Sequence, residues 1–350
     1  MNQSKQKPKV FRSVSTLSSH LLALSSSDSD FVFTFDVFDT LVHRRVHSDA
    51  VVDGVCQWLD RVFDDAGISK EMCAKDARNL SYREAIYERA KRGLDLDVSL
   101  AAFVSDWVSR MAELPEELHS KLCGQILERE ATSELAVTYP NNGLLETLKI
   151  LKFRGHKTIY ISDMYLGKKI VDEILDKSGY RGLFDAGYVS GDHSLLKRTG
   201  NLYHHVEKCE DIPAGKWVHA GDNMEADGHM AAAVGIQSLV IRDRLIQSDI
   251  KKKTFDQKMT GSFQNLWGLR VSDFLSSYDS PSVTLNAYGK YALGPIFSNF
   301  VHAIIERSIS LGIKDIYFFA REGKLLLEVF EIIQSNSSDL RVRELRGSYL

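Results

Sequence analysis

Five short apolar runs, most of them followed by a helix-like stretch, set the limits of what this chain can fold into. They are FVFTFD (31–36), KTIYISD (157–163), AGYVSGD (186–192), KWVHAGD (216–222) and SLVIRD (238–243). GKKIVDEILDKSG follows the second and MEADGHMAAAVG the fourth, and both carry helical patterning. Strands that alternate with helices predict a parallel α/β sheet. Each of the five closes on an aspartate. The carboxyl ends of such strands form the ligand crevice, so the acids are expected to gather in one place.

The core is expected over 30–43 and 140–245. The intervening segment, 44–139, has another character: SDAVVDGVCQWLDRVFDDAG, SKEMCAKDARNLSYREAIYERAKRG, DVSLAAFVSDWVSRMAEL and PEELHSKLCGQILERE space their apolar residues as helices do. Ser48 and Asp97 are the expected N-caps, and Gly67 and Gly93 the expected stops. A helical insertion of about four helices follows directly on the first strand. Residues 1–29 are Ser-rich and read as a flexible tail with one short helix near Leu17–Leu24. The polar stretch 246–284, with its lysine run, reads as a linker that packs over the first domain through Phe263, Trp267 and Phe274. Residues 285–350 run helix, strand, helix and the opening of another strand. They read as a partial second α/β domain in a chain that continues beyond Leu350. Arg321 and Glu322 follow its strand and read as a salt-bridged turn or as part of a second site.

Bulk properties exclude several functions. A net charge of −3 and a pI near 6.4 argue against nucleic acid or a polybasic membrane patch as partner. The four cysteines, Cys56, Cys73, Cys123 and Cys209, lack paired spacing, which argues against a zinc site or a disulfide framework. No apolar run reaches the ~18 residues a membrane span needs, and the amino terminus lacks a signal-peptide core. A cytoplasmic protein is expected.

Within the apolar runs, four places carry chemistry. Asp36 ends FVFTF and is a candidate carboxylate nucleophile, or an acid that caps the next turn. Ser162 ends the second strand, where a hydroxyl can meet a phosphate oxygen; Asp163 beside it suits a cap for the following helix. Lys197, in LLKRTGNLY, can neutralise an aspartate and a phosphate together. Asp222 and Asp227, five residues apart across a turn, make an all-oxygen site suited to Mg²⁺. An N-cap role for Asp222 accounts for only one of those two acids.

These pieces, DVFDTLV, ISD, KRTGNLY and GDNMEAD, in this order and spacing, resemble the four motifs of the haloacid dehalogenase (HAD) superfamily of hydrolases over about residues 30–245. The resemblance implies a Rossmann-like core with a helical cap at 44–139 that closes over the site. It implies Asp36 as nucleophile, Thr40 and Ser162 at the transferred phosphoryl, and Lys197 as charge neutraliser. It further implies Mg²⁺ held by Asp36, the backbone carbonyl of Phe38, Asp222 and, as ligand or support, Asp227. A small phosphorylated substrate follows, with Tyr82 and Arg83 in LSYREAIYERAKR, and Arg78 two residues before it, as candidate cap contacts. The segment after 285 is similar to one that follows this domain in large bacterial proteins linked to surface-polysaccharide synthesis. That similarity implies a sugar-phosphate or nucleotide-sugar ligand and a glycosyltransferase or other domain downstream.

One position departs from the pattern. The phosphatases of the superfamily carry a second Asp two residues after the nucleophile, as general acid/base; here that residue is Phe38, and Asp39 lies one further on. Asp39 reaches the leaving group from its own turn position, or the substrate has a leaving group that needs no proton, or the domain is a catalytically impaired ligand-binding or scaffold module. The dehalogenase branch also lacks this acid but works without a metal, and GDNMEAD is of the metal-binding type.

Overall fold

The computed structural model describes residues 7–27, 30–213, 215–254, 257, 294–337 and 339–349, and divides into two compact units that part near residue 272. In the first, a six-stranded sheet runs in the order β1-β8-β7-β2-β5-β6, parallel throughout. Its strands are β1 (Lys9–Phe11), β2 (Val32–Phe35), β5 (Thr158–Ser162), β6 (Ala186–Val189), β7 (Trp217–Gly221) and β8 (Gln237–Ile241). Every residue of the central strands β2, β5 and β7 is buried, as expected of parallel strands covered on both faces. That is why their sequences read as continuous apolar runs.

Register does the rest. Phe35 of β2 lies level with Ala220 of β7 and with Tyr160 of β5. Asp36, Ser162 and Asp222 therefore follow neighbouring strands at the same edge.

Between β2 and β5 the chain leaves the core through a small antiparallel hairpin of β3 (Val42–Arg44) and β4 (Thr138–Pro140). Beyond that stem stand four helices, α2 (Ser48–Asp65), α3 (Ala74–Lys91), α4 (Leu100–Met111) and α5 (Glu116–Val137). Gly67 and Gly93 stop α2 and α3 at φ 66° and 64°, a conformation glycine adopts without steric cost. The N-caps lie elsewhere than expected. His47 caps α2, its Nδ1 accepting the Asp49 N–H at 3.2 Å, and the residue before α4 is Ser99. Back in the core, helices α6 (Asn142–Phe153), α7 (Lys168–Lys177), α8 (Ser190–His193), α9 (Asn201–Glu210) and α10 (Ala231–Ala233) link the strands.

The flexible tail expected over 1–29 is not what residues 7–27 form. Lys9–Phe11 adds an edge strand to β8, and the short helix expected near Leu17–Leu24 extends over Val14–Ser27 as α1. Leu17 and Leu21, four residues apart and so on one face, are fully buried. Each such burial is favourable by roughly 1.5–3 kcal/mol. The serines that suggested a coil turn back on the helix: Ser25 and Ser26 donate to the Leu22 carbonyl at 2.9 and 3.0 Å. Arg154 closes the end, its Nη1 bonding the same carbonyl at 2.8 Å.

Residues 246–254 of the expected linker belong to a helix that begins at 244; Phe263, Trp267 and Phe274 lie outside the described residues. The second unit holds two helices, Gly294–Ser310 and Ala320–Asn336, a short one at Leu340–Arg343, and two parallel strands, β9 (Asp315–Phe318) and β10 (Arg346–Tyr349). The side chains of Arg321 and Glu322 are outside the description. Among the described residues no helix is long and apolar enough to cross a membrane.

Candidate active site

Asp36 is the first residue past β2, its N–H bonded to the Ala220 carbonyl at 2.9 Å, so its carboxylate emerges at the strand edge but stays 93% buried. One oxygen accepts the Lys197 ammonium at 2.5 Å and the other the Thr40 hydroxyl at 3.0 Å. Lys197 reaches Asp227 as well, at 2.7 Å, and is itself almost wholly buried. Carboxylate oxygens of Asp36, Asp222 and Asp227 lie within 4.8 Å of one another.

The electrostatics of these acids differ. Burial, with Asp227 nearby, pushes Asp36 up to about 7 against the pull of Lys197 and Thr40. Burial and the proximity of Asp36 and Asp227 hold Asp222 well above the usual carboxylate range. Asp227 goes the other way: burial alone would raise it, but Lys197 and His219 outweigh that and keep it ionised at low pH. The cluster has two carboxyls that resist ionising together, which a hard cation would relieve. The donor set fits Mg²⁺.

Asp227 is held on every side. Its Oδ1 accepts from Lys197, from His219 Nε2 at 3.1 Å and from the Tyr203 hydroxyl at 3.4 Å; its Oδ2 accepts the Asn223 N–H at 3.0 Å. Met224–Met230 winds as a π-helix, capped by Asn223. Gly221 is required there: a Cβ would come within 2.2 Å of the Asp227 carboxyl carbon.

Behind Asp227 runs a buried polar chain that sequence reasoning missed. The Trp217 indole N–H donates to Thr34 Oγ1 at 2.9 Å, and Thr34 lies 2.8 Å from His219 Nδ1. With the Nε2 proton donated to ionised Asp227, neutral His219 presents Nδ1 as an acceptor for the Thr34 hydroxyl. Burial lowers His219 from its ordinary value, so the neutral form holds. The available signal was a titratable residue inside the apolar run KWVHAGD.

The remaining expected residues divide. Ser162, 1% exposed, ends β5 with a hydroxyl that has no hydrogen-bond partner. It is a polar group left for a ligand to satisfy. Asp163 accepts the Lys197 backbone N–H at 2.9 Å and so holds the lysine's segment; the cap of α7 comes instead from Asp192, which accepts the Lys168 N–H at 2.7 Å. The hydrogen bonds of the 37–42 turn run to the Val37 and Val42 carbonyls and do not use that of Phe38. Arg83 is exposed on α3, with no hydrogen bond or ion pair to the strand edge, and Tyr82 packs on Phe103. Arg78 is buried against Glu130 at 2.7 Å.

Phe38 and Asp39 are the departure seen in the sequence. Phe38 lies under the guanidinium of Arg44, 4.1 Å from its ring centre, and Arg44 donates to Glu134 of α5 at 2.8 Å. Asp39 adopts φ 61°, an uncommon backbone state for a residue with a side chain. Its carboxylate is 4.0 Å from His43 and lines a cleft of about 220 Å³ with Tyr139, Leu245, Ile246, Asp249, Ile250 and Lys253. Burial works to raise it, but the neighbouring His43 and the charges of Arg44 and Lys253 hold it below the usual carboxylate range.

A six-stranded parallel sheet, a helical insertion after the strand that carries Asp36, and four motif segments at one strand edge now stand together. This is the α/β core with an inserted helical unit that the four motifs implied. Solved structures similar to this chain include an L-2-haloacid dehalogenase from Xanthobacter autotrophicus (15% identity, 64% of this chain and 82% of that one, TM-score 0.38). A predicted phosphoglycolate phosphatase from Haemophilus somnus (16%, 65% and 99%, 0.36) and a HAD family enzyme from Bacteroides thetaiotaomicron (13%, 61% and 92%, 0.40) are others. No family model and no curated protein matches this chain in sequence.

Proposed function

We propose that this chain is a HAD-type hydrolase that cleaves a phosphoryl group from a small metabolite through an aspartyl-phosphate on Asp36. The observation that carries the reading is Asp36 itself. It is a buried carboxylate at a strand end, bridged by Lys197, with Asp222 and Asp227 close enough to share a cation. Asp36 and Asp222, with the free carbonyl of Phe38, would hold Mg²⁺, and Asp227 supports them, since its oxygens are already engaged. Bound there, Mg²⁺ supplies positive charge against the phosphoryl oxygens.

Each residue then has a task. The Asp36 carboxylate attacks phosphorus, the P–O bond to the leaving group breaks, and the leaving oxygen departs with the bond pair. The Lys197 ammonium offsets the negative charge on Asp36 and on the phosphoryl. Thr40 orients Asp36, and the unpartnered Ser162 hydroxyl donates to a phosphoryl oxygen. Water then attacks phosphorus, which returns the carboxylate and releases inorganic phosphate.

Phe38 cannot protonate the leaving group, and Asp39 is turned toward His43 and held ionised, so it is a poor donor. The substrate therefore carries a leaving group that departs without help: an anomeric sugar phosphate or a nucleotide-sugar phosphate fits. The same observation favours a second reading, a ligand-binding module with little turnover. A panel of phosphate esters and anhydrides of graded leaving-group acidity, assayed with Mg²⁺, decides between them. The hydrolase shows turnover that falls steeply as the leaving group becomes more basic and vanishes in Asp36→Asn. No turnover above the Asp36→Asn level on any of them sinks it.

A further inference from the structure

The helical insertion reaches the segment that carries Lys197. Asp95 stands in the loop between α3 and α4, and its Oδ2 accepts the Leu196 N–H at 2.8 Å and the Thr199 hydroxyl at 2.7 Å. Its Oδ1 accepts the Asn201 amide at 2.9 Å. Arg89 fastens the same contact, its Nε donating to the Asp95 carbonyl at 2.6 Å and its Nη2 to the Ser194 carbonyl at 3.0 Å. Lys197 is enclosed by these anchors. Its segment needs them, because Ser194 and Gly200 are left-handed at φ 56° and 84° and no strand or helix spans 194–200. From the core, Asp163 holds the Lys197 N–H.

We propose that Asp95 is a positioning residue through which the insertion, seated on the core, fixes the Lys197 ammonium between Asp36 and Asp227. A lysine side chain has four rotatable bonds, so the place of its ammonium depends on where its backbone is held. Two aspartates hold that backbone, one from the core and one from the insertion. Covering the site and placing its lysine are then a single event, and a site left open to water has its lysine loosely held. The coupling rests on the phosphoryl-transfer reading only for its catalytic consequence.

Chemical labelling tests it without any assay of activity. In the full chain, acetic anhydride modification of Lys197 is followed by peptide mass spectrometry, together with amide hydrogen exchange over 196–201. Loss of three hydrogen bonds to a carboxylate makes Asp95→Ala label at Lys197 and exchange over 196–201 about tenfold faster. Asp95→Asn, which keeps an oxygen for Leu196 and Thr199, stays near the wild type, as does Lys121→Ala at an exposed position on α5. With Mg²⁺ and p-nitrophenyl phosphate, Asp95→Ala lowers kcat about tenfold with KM within about twofold. Unchanged labelling and exchange in Asp95→Ala overturn the proposal. So does an equal rise across the whole insertion, or an effect on KM alone. A chain that hydrolyses nothing yet shows the rise confined to 196–201 defeats the phosphatase reading and keeps the coupling.

Discussion

Two acid-bearing turns follow adjacent strands of this sheet and have opposite chemistry. After β7, Asp227 is wrapped in four hydrogen bonds and stays ionised. After β2, Asp36 is held by two and is pushed up to about 7. The first is a fixed negative charge, made so by Lys197 and a neutral histidine. The second resists ionisation until something positive arrives. On the phosphoryl-transfer reading proposed above, a carboxylate that attacks phosphorus gains from being the less satisfied of the pair, while its neighbour pins the lysine.

The sharpest way to break the comparison is to remove the acid from the β2 turn. Asp36→Asn is expected to lower turnover by about 10⁴-fold or more while the folded state survives, as read by circular dichroism. The next effect is a gain. Phe38→Asp places an acid where the leaving group departs and is expected to speed hydrolysis of esters with basic leaving groups, by up to about 10²-fold. Asp39→Asn should change those rates little. If Asp39→Asn loses activity as fully as Asp36→Asn does, Asp39 is the acid/base and the geometry of its turn has been misjudged.

Removing the support behind Asp227 has a smaller effect. His219→Leu leaves buried partners on Thr34 and Asp227 unsatisfied and should cost about 2 kcal/mol in chemical denaturation. A loss confined to activity with stability intact would contradict the structural part of that chain.

The smallest effect comes from pH. Asp36 and Asp222 are both raised in the fold, so in chelator their ionisation costs more and more as pH climbs from about 4 through 7. Asp222→Asn removes one of the two charges, so its melting temperature should gain on the wild type over that range. Mg²⁺ should close the gap for the wild type by a few degrees at pH 8 and by little at pH 5, on the order of RT ln(1 + [L]/Kd). An Mg²⁺ shift equally large at pH 5, or retained in Asp222→Asn, would remove these carboxylates as its site.

Much of the site was legible because strand ends advertise it: an apolar run that stops at an acid is visible in one dimension, and Asp36, Ser162, Lys197, Asp222 and Asp227 all lie at or beside such stops. Asp163 was legible as a residue and not as a role, since the backbone N–H it serves lies 34 positions away. The amino-terminal strand was missed, and α1 was read only as a short helix near Leu17–Leu24, because a serine-rich stretch looks like coil until Leu17 and Leu21 find the core. Arg83 looked like a cap contact because a helical repeat alone cannot say which face meets the core; that face carries Arg78.

By itself the sequence determined the parallel sheet, the inserted helices and the acids at one edge, because apolar periodicity and strand-end residues are local properties of the chain. Only the tertiary structure decided which acid is satisfied and which is not, where Asp39 turns, that His219 stands behind Asp227, and that Asp95 reaches across to the lysine's segment. Those are contacts between residues far apart in sequence, and their energies exist only when the fold has brought the groups within hydrogen-bonding distance and excluded water from between them.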